Sequence, residues 1–354
     1  MLNFGVGPVM MHQDVLAIGS EQIPYFRTPE FSYLVLENER LLKKLVGAPD
    51  SSRVIFLTSS GTGAMEAVVL NTLTSKDRVL VVNGGSFGMR FKKICDIYGI
   101  PSTELRLGFF ERLTEEHLEP YTDKGFTSLL VNVHETSTGV LYNMRVIREF
   151  CKANRLFLVA DAISSFLADP FDMKDYGVNV TILSSQKALA LPPGMSYVIV
   201  DRNAQERISC NPVRSLYFNF KDYLRDGTRG QTPYTPAVSV MIQLNRRLKM
   251  IEAKGLPNVI GEVAALADDF RQRVADLPLT MPSQSPSNAM TTLMPISRDA
   301  YQIVRLLKDQ HGIFVAPNGG ELRHRVFRVG HLGAISTRDN VVLAEALRDT
   351  ILKA

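Results

Sequence analysis

Asp161 closes the apolar run LFLVAD (156–161), and Lys187 follows VTILSS (180–185), 26 residues after the aspartate. If both runs are strands of one sheet, both side chains stand at its edge. A lysine amine forms an imine with a carbonyl compound. A carboxylate beside a pyridine nitrogen keeps that nitrogen protonated, so the ring accepts electrons from a developing carbanion. Burial lowers the lysine pKa and supplies free amine. Taken alone, each residue has a plainer reading, Lys187 as a surface lysine and Asp161 as a turn residue. SSGTG at Ser59–Gly63 adds a third feature. It leaves one apolar run and enters the helix-periodic AMEAVVLNTL, so Ser60, Gly61 and Thr62 occupy a helix start, where free N–H groups bind a phosphate. By itself this is also the pattern of an ordinary cap. The combination is what pyridoxal 5'-phosphate (PLP) requires.

These residues need a sheet to hold them. Short runs rich in branched residues recur at VIFLT (54–58), RVLVVN (78–83), SLLVNV (128–133), LFLVAD, VTILSS and SYVIV (196–200), with amphipathic stretches between them. Such alternation predicts crossover units and a mostly parallel α/β sheet with helices on both faces. Ligands gather beyond the carboxyl ends of its strands, and there the chain places SSGTG, NGGSFG, HETSTG, DAISS and SSQK. Residues 236–254 have helical spacing and run from the large domain toward the remainder. An amphipathic helix around 258–276, a Pro/Ser-rich loop at 278–288 and a helix at 298–311 suggest a small α+β domain, joined by part of the N-terminal segment. The expected division is 16–245 for the large PLP-binding domain, and 1–15 with 246–354 for the small one.

Composition agrees with two domains: 354 residues with 45% apolar content exceed the usual single core. The net charge of +4 comes from 40 basic and 36 acidic residues, interspersed without a basic block, so no nucleic-acid partner is expected. Cys95, Cys151 and Cys210 form no CxxC pair, which fits a reducing cytoplasm. The six histidines show no HExxH-type spacing, and no metal is expected. No leader or membrane span stands out.

The ordered set SGTGAMEA, NGGSFGMR, HETSTG, DAISSF, SSQKAL and FRVGHLG resembles the class V aminotransferases of PLP fold type I across nearly the whole chain. GPVMMHQDVL and YFRTPEF near the N-terminus strengthen the likeness, which leans toward alanine:glyoxylate or serine:pyruvate and 2-aminoethylphosphonate:pyruvate aminotransferases. The resemblance implies a large domain with a mostly parallel seven-stranded sheet flanked by helices, a smaller α+β C-terminal domain, and a homodimer with shared active sites. It makes Lys187 the Schiff-base lysine, Asp161 the pyridinium partner, and Gln186, Ser60, Gly61 and Thr62 the phosphate site. Phe87 stacks on the pyridine ring where the alanine:glyoxylate branch has tryptophan, and this chain has none. Thr136 reaches the phenolic oxygen, Ser164 lines the pocket, and Arg328 binds the substrate carboxylate with its planar fork. Thr235, with Thr232 beside it, reaches the neighbouring subunit's cofactor.

The implied reaction is a ping-pong amino transfer from a small donor to pyruvate or glyoxylate. Rival readings are a PLP lyase, epimerase or cysteine desulfurase of the same fold, or a catalytically silent relative. No cysteine lies just ahead of FRVG, where desulfurase chemistry wants one. Arg27 and Arg325 are candidates for a distal anion, and His134 is either a site residue or a packed histidine.

Overall fold

The computed structural model describes residues 1–352 and is built around a seven-stranded sheet. In spatial order the strands are Arg53–Leu57, Ser196–Val200, Val180–Ser184, Phe157–Asp161, Ser128–Asn132, Val79–Asn83 and Ser102–Arg106. All run parallel except Ser196–Val200, which is antiparallel to both neighbours. Six of the seven are the apolar runs visible in the sequence. The remaining one, STELR at the sheet margin, buries only Leu105, so polar residues suffice there and no apolar run marks it.

Successive residues of the inner strands feed opposite layers. Leu129, Leu158 and Ala160 join one core with helices Pro29–Leu45, Met144–Asn154 and Val238–Lys254. Leu130, Phe157 and Val159 join the other with Gly61–Thr72, Ser86–Ile97 and Arg202–Cys210. Burial on both faces explains why these strands read as unbroken branched runs. Helix Val238–Lys254 continues through residue 245, and its Leu248 and Ile251 pack into the same core as Met241.

A second sheet has five strands, ordered Leu2–Phe4, Ile313–Pro317, Phe327–Gly330, Met290–Pro295 and Leu279–Thr280. Phe4, Val315, Phe327 and Val329 close its core against helices Leu256–Arg273, Ala300–His311 and Thr337–Leu352. Leu2–Phe4 pairs parallel with Ile313–Pro317, so the first residues of the chain belong to the C-terminal sheet. The two sheets are tied at Asp169, which accepts hydrogen bonds from Ser287 Oγ at 2.5 Å and from the Asn288 amide at 3.0 Å. Among the described residues no helix is long and apolar enough to cross a membrane.

Candidate active site

Parallel strands present their carboxyl ends on one edge, and the segments that leave this edge converge. Ser60, Gly61 and Thr62 follow the first strand of the large sheet, and Phe87 follows Val79–Asn83. Thr136 lies beyond Ser128–Asn132, Asp161 and Ser164 close and follow Phe157–Asp161, and Gln186 and Lys187 leave Val180–Ser184. All of them line one cavity of about 240 Å³.

Asp161 is held by its neighbours. The register sets Asn132 opposite it, and Asn132 Nδ2 donates to Asp161 Oδ2 at 2.5 Å. The Ile163 amide donates to Oδ1 at 2.8 Å. Burial raises the Asp161 pKa to about 6, against these hydrogen bonds and the charge of Lys187. Lys187 moves the other way: burial, then the Arg328 charge, lowers its pKa to about 8, while Asp161 pulls it back up. Lys187 Nζ donates to the Val6 carbonyl. Gly7 closes the wall behind it, since a Cβ there would lie 2.6 Å from Lys187 Cδ, and its φ of +126° disfavours any side chain.

The helix Gly61–Thr72 starts at Ser60, whose hydroxyl accepts from the Gly63 amide at 3.2 Å. The amides of its first turn are those a phosphate would use. Gln186 stands beside Ser184, whose hydroxyl donates to Gln186 Oε1 at 2.6 Å. Phe87 rides the first turn of Ser86–Ile97, whose N-cap, Gly85, offers no side chain. The buried Glu135 carboxylate caps that helix instead, accepting from the amides of Phe87 and Gly88, the latter at 3.0 Å. One turn on, the Arg90 guanidinium lies 4.6 Å from the Phe87 ring centroid and donates to Thr62 Oγ1 at 2.7 Å.

Thr136 Oγ1 and Ser164 Oγ are 2.8 Å apart. Arg328, from the small sheet, donates from Nη1 to the Thr136 carbonyl at 3.0 Å and from Nη2 to the Pro317 carbonyl at 2.6 Å. Its Nε is buried without a partner, and burial lowers its pKa to about 10. A carboxylate would satisfy that donor. Thr235 is exposed and lies apart from the cavity, while the Thr232 hydroxyl is spent on the Tyr234 carbonyl. Arg27 donates to Gln231 Oε1, Thr232 O and Pro233 O, so it fastens the 231–233 loop. Arg325 is exposed.

A family model described as Aminotransferase class-V matches residues 27–327. The chain belongs to the class-V aminotransferases. This aminotransferase is 30% identical over 349 residues to a Synechococcus protein named soluble hydrogenase, small subunit, covering 96% of this chain and 90% of that one. It is 28% identical over 320 residues to the L-aspartate–glyoxylate aminotransferase of Paracoccus denitrificans, covering 88% and 81%. The crystal structure of a subgroup IV aspartate aminotransferase from Thermus thermophilus matches with a TM-score of 0.92 at 25% identity, covering 100% and 99%. The fold is PLP fold type I, and the enzyme is PLP-dependent. The residues present fit that group: each Asp161 oxygen carries a single donor and keeps room for a ring nitrogen, and the helix start at Gly61 is open to the cavity.

Several contributors escaped the sequence reading. Met65, Arg90 and Ile163 also line the cavity. Arg90 carried a signal, because it falls three residues after Phe87 on one helix face. Asn132, Glu135 and Gly7 carried none for the contacts they make, since each acts on a residue that only the tertiary fold brings near.

Proposed function

We propose that this aminotransferase moves an amino group from a small donor, of the alanine, serine or 2-aminoethylphosphonate type, to pyruvate or glyoxylate in two half-reactions. The observation that carries the site assignment is the meeting of Lys187 and Asp161 in one cavity beside an open helix start. When bound, PLP supplies an electrophilic aldehyde carbon and a ring that takes up the electron pair released at the substrate carbon. Lys187 Nζ would hold that aldehyde carbon until freed by the donor. It then takes the proton from the substrate carbon as base and delivers it as acid, a task suited to an amine lowered to about 8. Asp161 keeps the ring nitrogen protonated. Ser60, Gly61, Thr62 and Gln186 would anchor the phosphate, Phe87 would stack on the ring, Thr136 would face the phenolic oxygen, and Ser164 lines the same pocket. Arg328 orients the substrate carboxylate through its buried fork. Glyoxylate as acceptor is supported by the name of the Paracoccus relative.

The working unit is a homodimer in which Thr235 contacts the partner's cofactor. The large apolar side chains exposed at Ile23, Tyr25, Tyr33 and Leu216 support this as groups that a second copy would cover. The free thiols of Cys95, Cys151 and Cys210 suit a reducing cytoplasm.

The test is the visible absorbance of purified protein titrated separately with alanine, serine, aspartate and 2-aminoethylphosphonate. One donor is expected to bleach the band, and pyruvate or glyoxylate to restore it. A band that no donor bleaches would overturn these substrate assignments, and a colourless protein that takes up no PLP would overturn the site.

A further inference from the structure

His134 has no part in the site proposed above. It is buried, with Nδ1 3.0 Å from Ser164 Oγ, and Ser164 Oγ in turn lies 2.8 Å from Thr136 Oγ1. Thr136 and Ser164 line the cavity, and His134 sits behind them. The other ring nitrogen, Nε2, is buried with no hydrogen-bond partner.

Those facts fix the direction of the chain of hydrogen bonds. Burial, then the charges of Lys187 and Arg328, lowers the His134 pKa to about 3, so at neutral pH the ring carries one proton. The tautomer is set by what each nitrogen can reach. Buried N–H groups without an acceptor are rarer than acceptors left unfilled, so the proton belongs on Nδ1, facing Ser164. Ser164 Oγ accepts it and has its own hydrogen left to give. Its two acceptors are Thr136 Oγ1 at 2.8 Å and the His134 carbonyl at 3.3 Å, and the shorter contact takes it. Thr136 then receives a hydrogen bond from behind, and its own hydrogen turns to the cavity.

We propose that His134 is a positioning residue: through Ser164 it makes Thr136 a hydrogen-bond donor toward the cofactor's phenolic oxygen. The proposal rests on the reading above, in which Thr136 faces that oxygen. A donor there stabilises whichever protonation state holds more negative charge on the oxygen, and so lowers the pH at which the bound cofactor loses a proton. Without the imidazole, the Thr136 hydroxyl can give its hydrogen back to Ser164, and that stabilisation is lost.

Two measurements test the relay. Histidine ¹⁵N spectra of the full-length protein without cofactor, with His134→Gln used to assign the signal, are expected to show a protonated Nδ1 and a bare Nε2. A protonated Nε2 overturns the proposal. In the holoenzyme, the pH midpoint of the visible absorbance change is expected to rise by about one unit in His134→Leu, the size of one ordinary hydrogen bond. His134→Gln, which keeps an N–H donor, is expected to restore most of the shift. A leucine variant that titrates like the parent, or a glutamine variant displaced as far as leucine, overturns it. A parent protein that takes up no cofactor defeats the site assignment itself, whereas an unshifted midpoint in a cofactor-bearing enzyme defeats this relay alone.

Discussion

Lys187 and Asp161 share one cavity yet shift in opposite directions, the amine down to about 8 and the carboxyl up to about 6, and burial drives both. Each charge partly restores the other, so the pair stays useful near neutral pH. Because only the neutral amine is a nucleophile, the rate of PLP capture by the cofactor-free protein is expected to rise with pH and level off above about 8. Stopped-flow absorbance reads this, and a rise that continues past pH 10 would place the amine in water. Linkage works in the same window. The folded pKa lies below the unfolded 10.5, so the unfolded chain binds more protons between the two values, and the stability cost of this buried lysine, full below about 8, is lifted as pH rises to 10.5. Lys187→Met is expected to flatten that part of the stability profile. Lys187→Ala is expected to reduce turnover by at least about 10⁴-fold, and near-normal steady-state activity would refute its role.

The helix Ser86–Ile97 shows what an element needs in order to present a residue. Gly85 at its start cannot cap it, and the Glu135 carboxylate, delivered by the hairpin of His134–Glu135 and Val140–Leu141, meets the first-turn amides at the positive end of the helix. Glu135 also accepts from the Ser137 hydroxyl at 2.5 Å, so its position is determined from two sides. Phe87 and Arg90 depend on this turn for their placement over the cavity. Glu135→Gln exchanges an acceptor for a donor beside those amides. It is expected to cost about 1–3 kcal/mol in urea unfolding of the cofactor-free protein and to weaken PLP binding as well. An unchanged unfolding midpoint would show the cap to be dispensable.

Across the whole molecule, the site is divided between the sheets. Lys187 and Asp161 belong to the large sheet, whereas Arg328 lies on a strand of the small one, and Val6 and Gly7 follow another. The packing of the two sheets, pinned where Ser287 and Asn288 meet Asp169, therefore sets the distance from the Lys187 amine to the Arg328 guanidinium. The proposed subunit pairing adds a further level. If Thr235 serves the partner's cofactor, PLP retention is expected to fall on dilution together with dimer dissociation, and Thr235→Ala to weaken PLP binding several-fold without altering sedimentation. A monomer in analytical ultracentrifugation that keeps its full absorbance would contradict the shared site.

Sequence alone determined the parts that are written in neighbouring residues: the branched apolar runs that became buried strands, the capped start at Ser60, and the Lys187 and Asp161 pair at strand ends. These are legible because burial on both faces and helix capping act over a few consecutive positions. The edge strand Ser102–Arg106 was not legible, since one buried leucine leaves no apolar pattern. Only the tertiary structure decided that Asn132 stands beside Asp161, that Gly7 packs on Lys187, that Glu135 caps the Phe87 helix, and that His134 backs Ser164 and Thr136. Those contacts depend on strand order, register and the approach of one sheet to another, and no local spacing encodes them.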